Sequence, residues 1–225
     1  MDFLSQYDIL GAFGQTALLT LYSAIGALVW GVVLAGMRVS PVPIMRGFAA
    51  GYVNILRNTP LTLIILFTSV GLASTLGVQL VNPTSPTSLA DNNYRLAVIG
   101  FVVYTATFVC EAVRSGINTV PVGQAEAARA IGLSFFQTLR MIVLPQALRS
   151  VIAPLANVLI ALTKNTTVAT VIGVGQAALL MKYMIENESD VSLLVFAIFG
   201  LGFVALTLPV GLILGWVAKK ATVKR

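Results

Sequence analysis

Few side chains in this chain could do covalent chemistry. There is no histidine, and Cys110 is the one cysteine among 225 residues. Without an imidazole, a histidine base, proton shuttle or metal ligand is excluded, and a serine–histidine hydrolase site cannot be assembled. No Gly-x-x-x-x-Gly-Lys-[Ser/Thr] loop occurs, so the chain lacks that nucleotide-phosphate cradle. Cys110 lies in an apolar run and reads as a small buried side chain. No catalytic residue, metal site or cofactor is therefore expected. What remains is charge set beside apolar stretches. Glu111 and Arg114 stand three residues apart, close enough to pair on one helix face. They fit either an ion pair at headgroup level or a gate contact with a neighbouring loop. Lys164 is followed at once by Asn165, Thr166 and Thr167. A lysine at the end of an apolar stretch either snorkels to the membrane surface or faces a cavity or partner. In the second case the three polar neighbours would offer donors to a carboxylate.

The elements that must position these groups are apolar. The chain is 57% hydrophobic and 10% charged, with a mean hydropathy of +0.92, whereas soluble domains carry about 25% charged residues. A chain of this kind belongs in a bilayer. Its net charge of +6 does not point to nucleic acid, because the basic residues sit singly between apolar runs and form no patch or stripe. Uncharged stretches of roughly 20 residues mark membrane spans. They predict five, at Ala12–Gly36, Pro60–Val81, Tyr94–Val113, Ala147–Thr163 and 191–218, within one domain over residues 1–225. A polar loop, Asn82–Asn93, separates the second span from the third. The fourth contains Pro154, which removes a helical hydrogen bond and should bend the axis. Short, proline-broken segments point to a transport pathway in secondary transporters. Residues 165–181 are mostly apolar but hold Asn165, three threonines, Gln176 and two glycines. They read as a re-entrant or interfacial helix rather than a sixth span.

Charge sets the expected orientation. Asp2 and Asp8 precede the first span and no basic residue does, so it lacks a signal peptide's positive start and is expected to be retained with its N-terminus outside. Inside then fall Arg38, Arg46, Arg57, Arg114, Arg129, Arg140, Arg149, Lys219, Lys220, Lys224 and Arg225. Only Arg95, Lys164 and Lys182 fall outside, as the positive-inside rule requires. Gly26, Gly31 and Gly36 recur in the first span, and Gly200, Gly202, Gly211 and Gly215 in the fifth. Gly211-x-x-x-Gly215 is a pattern for close helix packing.

Between the third and fourth spans, Pro121–Pro145 reads as two helices outside the membrane. Pro121 suits a first turn and Gly132 a left-handed end. Ser134 with Gln137 makes a capping box that starts the second helix, and Pro145 discourages Leu144 from staying helical. Ala125, Ala127, Ala128 and Ala130 keep the first helix slim, with Gln124, Glu126 and Arg129 as its polar groups. Such a helix suits a groove in another protein.

Glu126-Ala127-Ala128, three residues, Gly132, nine residues, Ile142, one residue, Leu144-Pro145 resembles the signature loop of ABC importer permeases. The resemblance implies an all-α membrane permease of the type I importer kind, in which this loop docks on an ATPase subunit. Gln124, Glu126, Ala127, Ala128, Arg129 and Gly132 would make the coupling contact. Arg57-Asn58-Thr59-Pro60-Leu61 and Glu111-Ala112-Val113-Arg114-Ser115-Gly116-Ile117 resemble the polar amino-acid permeases, whose usual forms have glycine where Asn58 and Ser115 stand. The likeness extends over almost the whole chain and is nearest to the glutamate-uptake permeases of actinobacteria. It implies a bacterial plasma membrane and these partners: a pair of ABC ATPase subunits that bind ATP, a second permease subunit, and an extracytoplasmic solute-binding protein. Lys164, Asn165, Thr166 and Thr167 would line the substrate pathway. The alternative reading is a stand-alone secondary transporter or channel for a small polar solute. Such proteins commonly hold carboxylates or histidines within the membrane, and no acid lies clearly within a span of this chain.

Overall fold

The computed structural model describes residues 6–221, all of them helical or in connecting turns. Asp2, Lys224 and Arg225 lie outside the described residues. Asp8 opens helix α1, Ile9–Arg38, by accepting a hydrogen bond from Gly11 N at 2.8 Å. Every fourth residue on one face of α1 is small: Ser23, Ala27, Gly31 and Ala35, all buried. In a membrane, small residues let helix backbones approach closely. The partner is α4, Ser88–Ile117, whose Ala106, Val109, Cys110 and Val113 pack into the same core as Ala27, Leu34 and Ala35. A Cβ on Gly31 would sit 2.5 Å from the Val109 side chain and 2.9 Å from the Ala106 carbonyl oxygen. Only glycine fits there.

Between α1 and α4 lies a bent pair. Helix α2, Pro43–Arg57, begins with proline at its first position, where the missing N–H costs nothing. Ala49 and Val53 on its inner face are buried, and Tyr52 donates its hydroxyl to Val103 O on α4 at 2.9 Å. The chain then turns through 104° into α3, Leu61–Leu66, which continues as a π-helix over Phe67–Thr75. The second span, expected to run to Val81, therefore stops at Thr75, ahead of a turn at Gly77. Ser88, inside the expected loop Asn82–Asn93, already belongs to α4.

Past α4 come α5, Val122–Ala130, and α6, Phe135–Thr138, the latter running through a π-turn at Leu139–Val143 into α7, Leu144–Ser150. Leu144 stays helical (φ −62°, ψ −42°), contrary to the expectation from Pro145. Pro145 takes the second position of α7, among the first-turn N–H groups that lack an intrahelical partner in any case. The break in the fourth span falls at Val151 (φ −101°, ψ 1°), not at Pro154, which sits in the first turn of α8, Ile152–Asn165. Helix α8 goes on as a 3-10 helix over Thr166–Ile172 and ends at Gly173. Residues 165–181 are thus divided. The first part completes the fourth span, and the last begins α9, Ala177–Asn187. At 11 residues α9 falls far short of the roughly 20 a span needs. Helix α10, Ser192–Ala221, closes the fold. Among the described residues, four helices are long and apolar enough to cross a membrane, or five if the bent pair counts as one.

Candidate coupling segment and charge cluster

Helix α5 follows the C-terminal end of α4 after a turn at Asn118–Pro121. Pro121 (φ −57°, ψ 128°) lies one residue ahead of the helix rather than in its first turn. At the other end Gly132 has φ +95°. Leu133 N donates to Ala128 O at 3.1 Å and Gly132 N to Arg129 O at 3.0 Å. These two bonds make a Schellman termination, which satisfies carbonyls the helix end would otherwise leave free. Ser134 Oγ accepts from Gln137 N at 3.3 Å and Gln137 Oε1 from Ser134 N at 2.8 Å. The capping box starts α6 as the sequence predicts.

The face of α5 that points away from the bundle carries Glu126, Ala127 and Arg129, all exposed, and Gly132 follows them into solvent. Val122 and Ile131 flank this face at 70% and 81% exposure. Ala128 is buried against the chain itself. Gln124 is exposed as well, and its Oε1 accepts from Gln146 Nε2 at 2.6 Å, which pins α5 to α7. Of the six residues expected at a docking face, five are exposed and Ala128 is buried.

Glu111 pairs with Arg114 at 3.9 Å, as its spacing predicts, but its nearer partner is Arg38 at 3.4 Å. One carboxylate thus joins two guanidiniums where the last turn of α1 meets the C-terminal end of α4. In the sequence Arg38 reads only as a basic residue ending the first span, and nothing there marks it as a partner of Glu111. A second missed group sits at the opposite end of the bundle. Gln176 caps α9, accepting at Oε1 from Ala178 N (2.8 Å) and from Thr16 Oγ1 (3.4 Å), while Ala177 N donates to Thr16 Oγ1 at 3.1 Å. A lone glutamine at the end of a glycine turn was the available signal.

Lys164 is exposed on α8 and makes no ion pair among the described residues. Its neighbours differ from expectation. Thr166 is fully buried and donates to Thr163 O at 2.7 Å, and Thr167 donates to Lys164 O at 2.8 Å. Threonine in a helix commonly gives its proton to a carbonyl one turn back. Both hydroxyls can accept a further bond but have no proton left for a carboxylate. Lys164 and the half-buried Asn165 remain as donors.

The family described as binding-protein-dependent transport system inner membrane component matches residues 27–223. The chain belongs to this family. The match takes in α5, Gly132, the Arg38–Glu111–Arg114 cluster and Lys164; Asp8 and the first half of α1 lie ahead of it. The chain is 58% identical over 218 residues to the glutamate transport system permease protein GluC of Corynebacterium glutamicum, covering 97% of this chain and 96% of that one. The protein of the same name from Corynebacterium efficiens is also 58% identical, with the same coverage. The solved crystal structure of an amino acid ABC transporter with histidines shares the fold, with a TM-score of 0.78 at 23% identity, over 98% of this chain and 99% of that one.

Proposed function

We propose that this ABC importer permease subunit passes polar amino acids, with glutamate as its cargo. It works with chains it does not contain: a pair of ATPase subunits, a second permease subunit and an extracytoplasmic solute-binding protein. The observation that carries the reading is the exposed face of α5. A slim helix held at both ends by local hydrogen bonds, with Glu126, Ala127, Arg129 and Ile131 turned away from the bundle, is suited to a groove on another protein. ATP is hydrolysed in the partner, and its opening and closing moves α5. The 58% identity to a glutamate permease over nearly the full chain supports glutamate. The basic residues at the α5 end of the bundle support an N-terminus outside and a C-terminus in the cytoplasm. A cysteine placed at Ser85 is then labelled from outside and one at Lys219 is not.

The decisive experiment reconstitutes the chain in vesicles with its ATPase, the second permease subunit and glutamate-loaded binding protein. Uptake of labelled glutamate should require ATP and all of these components, and unlabelled aspartate or glutamine should compete less well than glutamate. Uptake by the purified chain alone would instead establish a secondary transporter or channel.

A further inference from the structure

A second feature lies on the same end of the molecule as α5, beside α6. A groove of about 760 Å³ runs between the last turns of α1 (Val33, Gly36, Met37), the link Ser40–Val42, and the Phe136–Arg140 edge of α6 and the π-turn. Its size falls within the range of about 300–1,000 Å³ typical of small-molecule sites. The walls are apolar, and Phe136, Val42 and Met45 remain 66%, 44% and 40% exposed at its rim. Gly36 keeps the wall thin: a Cβ there would meet only Leu139, at 3.7 Å.

Depth and charge identify an occupant. Helix α1 has 30 residues, about 45 Å at 1.5 Å per residue, and the hydrocarbon core is about 30 Å thick. The last turns of α1 therefore reach the headgroup layer, where apolar walls meet acyl chains and the rim meets phosphates. Arg140 lines the groove and makes no ion pair or side-chain hydrogen bond among the described residues. Arg46 does not line the groove itself, but its Nη1 donates to Ser40 O and Pro41 O, on two residues that do, at 2.9 and 3.0 Å, and it makes no ion pair among the described residues. No acid lines the groove, and nearby Glu111 is held by Arg38 and Arg114. Basic pockets between membrane helices on the cytoplasmic side suit anionic lipid headgroups, and guanidinium–phosphate pairs are among the stronger charge-assisted bonds.

We infer that this groove holds one anionic phospholipid, an acyl chain lying against Gly36, Met37 and Leu139 and the phosphate on Arg140. The leaflet follows from the orientation proposed above and is the inner one. The lipid then forms part of the wall behind the coupling segment, since Phe136–Arg140 continues directly from the Gly132 turn.

The test is independent of uptake. The full chain in detergent is titrated with phosphatidylglycerol or phosphatidylcholine, and retained lipid is counted by native mass spectrometry. One phosphatidylglycerol should be kept at concentrations where phosphatidylcholine is lost. Arg140→Gln should weaken retention about tenfold, the size expected for a hydrogen bond to a charged group. Gly36→Met, which fills the groove, and Phe136→Glu, which sets a negative charge at its exposed rim, should each abolish retention. Leu208→Met on the exposed face of α10 should leave it intact. Equal retention of the two lipids would overturn the inference, as would retention by Phe136→Glu. Displacement by glycerol 3-phosphate as effective as that by intact lipid would show a phosphate site without an acyl groove and would also overturn it.

Discussion

Gly132 gives the sharpest test of the coupling segment. Its φ of +95° lies where a side chain is strained, yet a Cβ there would meet nothing within 4 Å. The cost of a substitution is therefore backbone strain alone, of order 1–3 kcal/mol, with no packing loss added. Alanine should fall at the low end and valine, being β-branched, at the high end. Asparagine tolerates positive φ better than either. If the strain opens the turn, the Leu133–Ala128 and Gly132–Arg129 bonds go with it. A strain of about 2 kcal/mol changes the population of the intact turn roughly 30-fold, enough to detach α5 from α6 without unfolding the bundle. In vesicles holding the whole complex, glutamate taken up per ATP hydrolysed should fall in the order Gly, Asn, Ala, Val. The amount of permease in the membrane should stay the same. A wild-type ratio in Gly132→Val would refute the assignment of this turn to coupling. Loss of the variant from the membrane would refute the claim that the strain is local.

Three further outcomes follow from the geometry. Gly31→Ala should cost about 1–3 kcal/mol through overpacking, seen as a lower melting temperature in detergent, while Gly14→Ala on the same helix, whose Cβ meets nothing within 4 Å, should leave the melting point unchanged or higher. Glu111→Gln strands two guanidiniums and should destabilise by about 1–3 kcal/mol; Arg38→Met in that background should recover part of the loss, and strict additivity would argue against the shared carboxylate. Lys164→Ala should lower glutamate uptake and Lys164→Glu should lower it further, since like charge repels an acidic cargo; Thr167→Val should matter little, because its hydroxyl proton is given to Lys164 O. Normal transport by both Lys164 variants would remove that residue from the pathway.

Local rules were legible and distant ones were not. The Gly132 turn and the Ser134–Gln137 box depend on residues within five positions of one another, and both formed as read. Helix α2 was hidden because Arg46 and Arg57 broke the uncharged runs that mark spans, although Ala49 and Val53 four residues apart carried a helical period. The second span was overestimated because an uncharged run limits where a helix can lie without saying where it stops. The Arg38–Glu111 pair depends on α1 crossing α4 at one register, which is set by the small-residue seam and not by the spacing of the charges. The donors expected around Lys164 failed for a local reason that was open to reading: threonines in a helical segment have a carbonyl within reach.

The same seam decides how a movement of α5 would travel. Helix α5 follows α4 after four residues, so a displacement of α5 reaches α4 first. Ser23, Ala27, Gly31 and Ala35 leave α1 no freedom to slide on α4, and the Arg38–Glu111 contact ties their C-terminal ends. Helices α1 and α4 must therefore move as one body. On the other side, α6 reaches α8 through a π-turn at Leu139–Val143 and a break at Val151, two places where the α-helical hydrogen-bond pattern is interrupted. Such interruptions are where helices bend. A push on α5 is thus carried along α1 and α4, which also pack directly on α8 through Leu155, Val158 and Leu162. The route through α6 and α7 can bend, so the direct packing of α8 on α1 and α4 is the stiffer path from α5 to Lys164.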